Sequence, residues 1–306
     1  MLNVESDVEA KYRRAGRAVR RALKLALDIV EEGAPLLSIA ERLENEVRVD
    51  ASPAFPVNIS INAVAAHYSP KIGDEKVIPK GAVVKVDVGA HVDGYIADGA
   101  ITIVLDERYS ELARAALEGL KAAYRVLRPG VRLGEIGACI ERSIRRLGYR
   151  PIANLSGHKV EQYRLHAGKS VPNVATFTLE RVKEGEVYAI EPFSTNGRGL
   201  VVEGEAGNIY RVISLRRVKE DKSLDAFLKQ LWSRYRGLPF SERWLTDLLA
   251  PDKVRLYLYK LVSARKVYLY PTLVEKRGGV VAQFEDTFIV TPEGPIPLID
   301  TLSLVT

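Results

Sequence analysis

The sequence predicts a mixed α/β fold with a helical insertion, and three observations support this prediction. Two helical patterns precede a group of β-branched runs, and the same order of helices and then strands returns in the second half of the chain. Residues 217–265 differ in character, because they are helical in pattern and rich in Lys, Arg, Leu and Tyr. The simplest organisation is one domain over residues 1–306 with an insertion at 217–265. The repeated order also suggests an internal duplication, with halves near 5–105 and 110–306.

The first half begins with two helices. An apolar stripe with helical spacing predicts a long helix over residues 5–32, and its members are Val8, Tyr12, Ala15, Val19, Ala22 and Ala26. The segment Ser38-Ile39-Ala40-Glu41 has the spacing of a capping box and predicts the start of a second helix that ends near Val47. Strand-like runs follow at 57–63 and 82–105.

The second half repeats this order and contains the insertion. Helices are predicted at 110–128 and 132–147, before short strands and loops over 151–215. Within the insertion, helices are predicted at 223–235, 241–249 and 252–264. Strands are predicted from residue 266 to the end of the chain.

The composition limits the class of protein. The chain is 47% hydrophobic and 27% charged, which is ordinary for a soluble protein with a large core. No apolar run approaches the ~20 residues that a membrane span needs, so we expect a cytoplasmic protein. The single cysteine, Cys139, excludes an internal disulfide and a Cys-rich metal site, and it is predicted to be an inert core residue. One Met and one Cys beside abundant Lys, Arg and Glu are typical of thermophile proteins.

The net charge of +6 is concentrated on the first predicted helix. The basic residues there are Lys11, Arg13, Arg14, Arg17, Arg20, Arg21 and Lys24. A solvated helix face explains them, and contact with RNA or with the ribosome surface is the alternative. No nucleic-acid-binding motif supports the alternative.

Acidic residues and one histidine lie in or beside apolar, β-branched runs. They are Asp87, Asp98, His158, Glu191 and Glu285. An ionised carboxylate in a buried strand is costly unless it is paired or binds a metal ion. Several such residues together therefore predict a metal site.

Asp87 and Asp98 are predicted to face each other across a hairpin. Asp93-Gly94 is a turn signal, and a four-residue loop over 91–94 would place residues 87 and 98 directly opposite each other. Like charges at opposite positions are destabilising unless a cation lies between them. Asp93 is better explained as a turn residue than as a ligand, and His91 is predicted to be structural.

The donor set of four carboxylates and one imidazole is hard and rich in oxygen. It suits two divalent ions that share carboxylates, and Mn, Fe or Co better than a structural zinc. Two such ions can activate a hydroxide and polarise a carbonyl group, which is hydrolytic chemistry. The sequence has no Gly-x-Gly-x-x-Gly after a strand and no Walker motif, so nicotinamide and phosphate chemistry are not expected.

Eight segments, in order, resemble the methionine aminopeptidases, and the helical insertion resembles type II of that family. The segments are Ala54-Phe55-Pro56, Ala65-Ala66-His67-Tyr68, Lys85-Val86-Asp87-Val88-Gly89, Asp93-Gly94-Tyr95-Ile96-Ala97-Asp98, Ser156-Gly157-His158, Gln162-Tyr163-Arg164-Leu165-His166-Ala167-Gly168-Lys169, Tyr188-Ala189-Ile190-Glu191 and Ala282-Gln283-Phe284-Glu285. The resemblance implies the pita-bread fold, in which two pseudo-symmetric halves surround a dinuclear metal site. The implied metals are two divalent ions, Co, Mn, Fe or Zn.

The resemblance also implies a role for each site residue. Asp87 and Asp98 would be ligands from the first half and His158, Glu191 and Glu285 from the second, with Asp98 and Glu285 shared between the ions. A metal-activated hydroxide would remove the initiator methionine of nascent polypeptides when the second residue is small, and Glu191 would shuttle the proton of the water. The two non-ligand histidines, His67 and His166, would place the substrate and stabilise the oxyanion.

Apolar residues near the matched segments are candidates for the methionine pocket. Phe55 and Phe193 are expected to form its walls, and counting from the motifs adds Leu165, Ile209 and Tyr270. Ordinary core positions are the alternative for each. Asp286 departs from the family pattern, in which a histidine is expected after Glu285, and an extra carboxylate there could alter metal affinity.

Two other functions remain open at this stage. One is an Xaa-Pro peptidase of the same fold, such as prolidase or aminopeptidase P. The other is a non-enzymatic relative that binds RNA or the ribosome. The family implies a monomer that acts on nascent N-termini, with ribosome association left open.

Overall fold

The computed structural model describes residues 2–219 and 221–305, in which helices and strands follow the predicted order. The first half contains α1 (Leu2–Ile29), α2 (Leu36–Val47), β1 (Ser52–Pro53), β2 (Asn58–Ile61), β3 (Val64–Ala66), β4 (Val83–Val92) and β5 (Tyr95–Val104). The second half contains α3 (Ser110–Val126), α4 (Leu133–Arg146), β6 (Arg150–Pro151), β7 (Ser156–Val160), β8 (Ser170–Pro172), β9 (Val187–Ile190), β10 (Phe193–Thr195), β11 (Val201–Val212), α5 (Lys222–Tyr235), α6 (Pro251–Ser263), β12 (Val267–Glu275), β13 (Val281–Gln283), β14 (Asp286–Thr291), β15 (Gly294–Pro297) and α7 (Thr301–Val305).

Antiparallel sheets form the centre of the molecule. In the first half β4 pairs with β1, β2 and β5, and in the second half the order is β15-β14-β9-β7-β8. Two further sheets have the orders β11-β12-β3 and β13-β10-β6. The halves meet at a β-bridge between Ala100 and Glu285, where each backbone N–H donates to the other residue's carbonyl oxygen. This bridge brings β5 beside the segment that leads into β14.

Helices cover the sheets through apolar stripes. The predicted stripe of α1 packs against β4 and β5, and Tyr12, Ala15, Val19, Ala22 and Ala26 are all buried. In the second half α3 and α4 pack on each other, and α3 also contacts β10 and β13. Among the described helices, none has the length and apolarity of a membrane span.

The segment between β11 and β12 has a small core of its own. Its buried residues include Phe227, Leu231, Phe240 and Leu258, and they pack against the ends of the two flanking strands. This segment contains the predicted insertion 217–265, except that Glu220 lies outside the described residues, as do Met1 and Thr306. The assignment of one domain with an inserted subdomain stays a prediction.

Several local predictions are wrong. The helix α2 begins at Leu36 after Pro35, so Ser38 lies inside the helix and no side-chain cap forms. Residues 241–249 form only a short 3₁₀ turn, Glu242–Leu245, instead of a full helix. The chain finishes in the described helix α7 rather than in a strand, and Cys139 is half-buried rather than part of the core.

The β4–β5 hairpin has a shorter loop than predicted. Val92 pairs with Tyr95, so the turn is only Asp93-Gly94, whose φ values of 51° and 86° suit a tight hairpin turn that matches the twist of the strands. Asp87 therefore pairs with Ala100, and Asp98 pairs with Gly89. The two aspartates are diagonal neighbours on one face of the sheet rather than directly opposite each other.

Candidate metal centre

The five predicted ligands line one cavity between the two halves. Asp87 and Asp98 come from β4 and β5, and His158 comes from β7. Glu191 follows the last residue of β9, and Glu285 precedes β14. Because β14 pairs with β9 and β9 pairs with β7, the three second-half residues lie close together on or beside neighbouring central strands of their sheet.

Three of these side chains are close enough to share one ion. Ligand atoms of Asp98, His158 and Glu285 all lie within 4.8 Å of one another. The Nε2 atom of His158 is 3.5 Å from Oδ2 of Asp98 and 4.0 Å from Oε1 of Glu191. These separations are too long for good hydrogen bonds but leave space for a cation.

Four buried polar atoms of this cluster lack a hydrogen-bond partner among the described residues. Oδ1 of Asp87, Oδ1 of Asp98, Oε1 of Glu285 and Nδ1 of His158 are buried, and the described residues give them no hydrogen bond. A buried unpaired acceptor costs about 1–3 kcal/mol, and more when it is charged. The donor set is that of a divalent cation site, so the residues present fit the metal ions that the sequence predicts.

The electrostatics of the cluster support the same interpretation. Burial raises the pKa of the Asp87, Glu191 and Glu285 carboxyls well above their ordinary range, and the like charges of neighbouring carboxylates raise it further. Burial also raises the pKa of Asp98 to about 7. Cations in the cavity would reverse this repulsion and keep the carboxylates ionised.

His67 and His166 line the same cavity. The rings of His158 and His166 have centroids 4.3 Å apart, and the ring of His67 meets Tyr270 edge-on at 5.3 Å. Burial lowers the pKa of His67 to about 4 and that of His166 to about 3, so both imidazoles are neutral at pH 7. His67 has a φ of 67°, an uncommon backbone conformation outside glycine, directly after β3.

The structure brings four of the five predicted pocket residues to this cavity. Phe55, Leu165, Ile209 and Tyr270 line it. Phe193 does not, because it is fully buried in a separate apolar cluster with Ala65, Ile152, Val201 and Val281. Pro192 separates β9 from β10, and β10 pairs with a different sheet, so proximity in sequence to Glu191 does not place Phe193 in the cavity.

Sequence reasoning missed two polar residues of the site. Asn58 lines the cavity and pairs with Asp87 in the β2–β4 register. The side chain of Gln283 lies 3.4 Å from Oε2 of Glu191 and 3.3 Å from Oε2 of Glu285, so its amide bridges the two carboxylates. Gln283 belongs to a matched segment and lies two residues before Glu285. Side chains two apart on an extended strand point to the same face, so this spacing could have identified Gln283 as a neighbour of Glu285.

Asp286 is buried but lies apart from the candidate ligands. Its carboxylate accepts hydrogen bonds from the backbone N–H groups of Ile299 at 3.2 Å and Thr301 at 2.8 Å. Adjacent residues of a strand point to opposite faces, so Asp286 points away from the cavity and fixes the start of α7. It therefore has a structural role, and its negative charge also raises the pKa of the Glu285 carboxyl, so an effect on metal affinity stays a prediction.

The basic face of α1 is largely paired. Lys11 lies 2.8 Å from Asp7, and Arg21 contacts both Glu46 and Asp50. Arg20 donates to the carbonyl oxygens of Ile299 and Asp300. Much of this charge is therefore used within the protein.

Comparisons with known proteins agree with this geometry. Residues 10–292 match the sequence profile described as Metallopeptidase family M24. The chain is 45% identical over 286 residues to the methionine aminopeptidase of Thermococcus kodakarensis, covering 92% of this chain and 96% of the relative. It is 44% identical over 293 residues to that of Saccharolobus solfataricus, covering 95% and 96%.

Solved structures share the fold. The methionine aminopeptidase of Thermotoga maritima has a TM-score of 0.68 at 25% identity, covering 96% of both chains. A thermophilic Arx1 has a TM-score of 0.83 at 17% identity, covering 95% of this chain and 90% of its own. The prolidase of Pyrococcus furiosus has a TM-score of 0.60 at 18% identity and is covered over only 64% of its length. The last two similarities show the fold alone, which is the predicted pita-bread architecture. The chain itself belongs to metallopeptidase family M24, and within that family it is a member of the methionine aminopeptidases.

Proposed function

We propose that this chain is a metal-dependent hydrolase that removes the N-terminal methionine of polypeptides whose second residue is small. The observation that supports this most strongly is the cavity in which four carboxylates and a histidine converge without protein cations. Relatives that are 38–45% identical over more than nine-tenths of the chain are methionine aminopeptidases, which supports the same substrate. We infer that the substrates are nascent polypeptides and that the reaction takes place in the cytoplasm on a monomeric enzyme.

The metal centre that we propose holds two divalent ions. Asp87, Asp98, His158, Glu191 and Glu285 would bind them, with Asp98 and Glu285 shared. Mn, Fe, Co and Zn all suit these ligands. When bound, such ions polarise a carbonyl group and lower the pKa of water towards neutrality.

The remaining polar residues handle protons and charge. We propose that Glu191 accepts the proton of the attacking water, while the amide of Gln283 orients its carboxylate from 3.4 Å. His166 is neutral because burial lowers its pKa to about 3, and a neutral imidazole can donate its N–H to the developing oxyanion. His67, which lines the same cavity, would position the substrate.

The apolar wall of the cavity supports recognition of methionine. Phe55, Leu165, Ile209 and Tyr270 present carbon surface that an unbranched thioether side chain could contact. Discrimination in such pockets amounts to about 1–3 kcal/mol per methylene. Rejection of a bulky second residue would follow from steric closure next to the ligands.

Two alternatives have less support. A non-enzymatic binding protein would not need five converging ligands, four of which have an unpaired buried polar atom. An Xaa-Pro peptidase is supported only by solved structures below 25% identity, and the chain covers about 60% of their length.

The test is hydrolysis of three peptides by chelator-treated protein reloaded with Mn, Fe or Co. We expect release of methionine from Met-Gly-Met-Met and none from Met-Leu-Met-Met. Cleavage of the third substrate alone, an Xaa-Pro peptide, would place the chain with the prolidases. The absence of any turnover would leave the binding-protein alternative.

A further inference from the structure

One charged side chain beside the metal centre has no partner among the described residues. Arg211 lies on β11 and is half-buried, and its Nε atom is buried without a hydrogen bond. The described part of the chain also gives its guanidinium group no ion pair. Most buried polar groups in proteins are hydrogen-bonded, so an unpaired donor of this kind needs an explanation. None of the roles proposed above involves Arg211.

The strand register places Arg211 on the face of the sheet that borders the cavity. Ile209 and Tyr270 line the cavity and pair with each other, and Arg211 pairs with Tyr268 two residues further along. Side chains two apart on a strand share a face. The guanidinium carbon of Arg211 accordingly lies 5.9 Å from the centroid of the Tyr270 ring, its diagonal neighbour.

The opposite face of β11 packs on the insertion. Val212 is buried in the core of that segment, and Tyr210 packs against the same core. The N–H of Tyr210 donates to the carbonyl oxygen of Phe240 at 2.8 Å. Because alternate residues of a strand face opposite sides, Arg211 is turned away from the insertion and towards the cavity.

The face that carries Arg211 passes from the cavity towards solvent. Ile209 is 3% exposed, whereas Tyr268, opposite Arg211, is 39% exposed. The charge of Arg211 also reaches the site itself. Burial lowers the pKa of His166 to about 3, and the charges of His158 and Arg211 lower it further. Arg211 therefore lies between the reacting groups and the exterior.

A polypeptide substrate has to pass this position, if the proposed function is correct. With its first residue in the cavity, the rest of the chain leads out to solvent. An extended chain advances about 3.3 Å per residue, so the third and fourth residues lie about 7–10 Å beyond the first. The planar fork of arginine binds both oxygens of a carboxylate at once. An acidic side chain near the N-terminus of the substrate is the group that suits this unpaired guanidinium.

We propose that Arg211 is a specificity-determining residue that binds an acidic side chain at the third or fourth position of the substrate. This inference rests on the proposed function. Such a contact lies away from the scissile bond and forms in the bound substrate and in the transition state alike, so it lowers KM and leaves kcat nearly unchanged. The expected effect is about tenfold, the lower end of what a hydrogen bond to a charged group contributes.

The experiment compares four peptides that end in a C-terminal amide, so that only the side-chain charge differs within each pair. One pair is Met-Gly-Glu-Ala and Met-Gly-Gln-Ala, and the other is Met-Gly-Ala-Glu and Met-Gly-Ala-Gln. Methionine release by the metal-loaded enzyme gives KM and kcat for each. The variants are Arg211→Gln, which removes the charge, and Arg211→Lys, which keeps the charge without the fork. The matched control is Arg216→Gln, which removes the charge of an exposed arginine in the loop after β11.

We expect wild type to bind the Glu peptide of at least one pair with a KM about tenfold lower than that of its Gln partner. The ratio should fall as salt is raised from about 0.1 M to about 1 M, because salt screens the charges. It should be close to one in Arg211→Gln, intermediate in Arg211→Lys and equal to that of wild type in Arg216→Gln.

Equal KM values within both pairs for wild type would overturn the proposal. An unchanged ratio in Arg211→Gln or a reduced ratio in Arg216→Gln would also overturn it, because the preference would then come from another group or from net charge. Release of methionine from the Gln peptides keeps these outcomes separate from a failure of the proposed function. In that case wild type would cleave none of the four peptides, and this inference would fail with it.

Discussion

Buried carboxylates occur in two regions of this molecule, and they differ in what surrounds them. Glu44 on α2 is 1% exposed, and its oxygens accept from Nη2 of Arg243 at 2.5 Å, Nη1 of Arg243 at 2.8 Å and Nε1 of Trp244 at 2.7 Å. Arg243 is itself buried, so this pair is sealed between α2 and the segment that precedes α6. Asp98 and Glu285 of the metal centre are 4% and 1% exposed, but the charges beside Glu285 are those of neighbouring carboxylates.

The difference teaches how to separate a structural carboxylate from a functional one. Glu44 and Glu285 are each 1% exposed, so burial alone does not identify the site. The hydrogen-bond partners do, because Glu44, Glu275 and Asp286 each have their oxygens occupied by N–H groups of the protein. Asp87, Asp98 and Glu285 each retain an unpaired buried oxygen. An acceptor that the protein leaves unpaired is available for a cation.

The largest effect should come from removing a shared ligand. Asp98→Ala deletes a carboxylate that the metal needs, so we expect methionine release to fall by more than about 100-fold, the upper cost of losing an outer-shell partner. The metal-free variant should be at least as stable as the metal-free wild type, because a buried unpaired charge has been removed. Peptide assays and denaturant unfolding measure the two quantities. A variant that keeps full activity would contradict the ligand assignment.

Removing a structural carboxylate should destabilise the protein and leave metal binding intact. Glu44→Ala leaves the buried guanidinium of Arg243 without its partner, so we expect a loss of about 3–5 kcal/mol in the free energy of unfolding. Metal binding by the folded fraction should be retained. Glu41→Ala, at an exposed position of the same helix, is the control and should change stability by less than about 0.5 kcal/mol. Similar losses of stability in Glu44→Ala and Glu41→Ala would contradict the structural role of Glu44.

A pH series sharpens the comparison at Glu275. Burial alone would raise the pKa of its carboxyl, but four backbone N–H groups outweigh this and hold the pKa below its ordinary value of 4.5. A carboxyl with a lowered pKa in the folded state stabilises the protein above its unfolded pKa, and this contribution is lost as the pH falls. Glu275→Gln should therefore cost about 1–3 kcal/mol near pH 7 and progressively less below about pH 4.5.

The control for this series is Glu203→Gln, which replaces an exposed carboxylate on β11. Its unfolding free energy should follow that of the wild type at every pH. A destabilisation by Glu275→Gln that is constant between pH 7 and pH 3 would contradict this. It would show that the charge of Glu275 is not what holds the turns at residues 198–199 and 277–279.

The smallest effect concerns Phe55 and Phe193, which the sequence analysis predicts to be walls of the same pocket. Phe55→Leu removes ring contacts from the cavity, so we expect kcat/KM for Met-Gly-Met-Met to fall about tenfold, or about 1.4 kcal/mol. Phe193→Leu should leave kcat/KM unchanged and cost about 1 kcal/mol of stability, because Phe193 lies in a separate apolar cluster. Equal kinetic losses in the two variants would restore the original pocket prediction.

The sequence predicted the helices and strands well where the signal is local, and it placed the candidate ligands at the ends of apolar strands. The apolar stripe of α1 and the carboxylates at the ends of apolar strands need only spacing to be recognised, and family M24 membership and the mixed α/β fold are confirmed. The roles of the individual site residues stay predictions. The predicted register of the β4–β5 hairpin was wrong, because a change in turn length shifts every residue pair of the hairpin. The predicted direct opposition of Asp87 and Asp98 depended on that register.

Long-range contacts were beyond the sequence. The partner of Glu44 is 199 residues away, so no local pattern shows that this carboxylate is paired while Asp98 is not. Phe193 stands two residues after a candidate ligand but belongs to another sheet.

The measurement that tests the central claim most directly is calorimetric titration of Mn²⁺ into chelator-treated protein. Wild type is compared with Asp98→Ala and with Asp286→Asn, which alters a buried carboxylate beside Glu285 whose oxygens the protein already occupies. The account predicts two ions per chain for wild type and for Asp286→Asn, and loss of this binding in Asp98→Ala. Unchanged stoichiometry and affinity in Asp98→Ala, or loss of binding in Asp286→Asn, would contradict the claim that unpaired buried carboxylates form the metal centre.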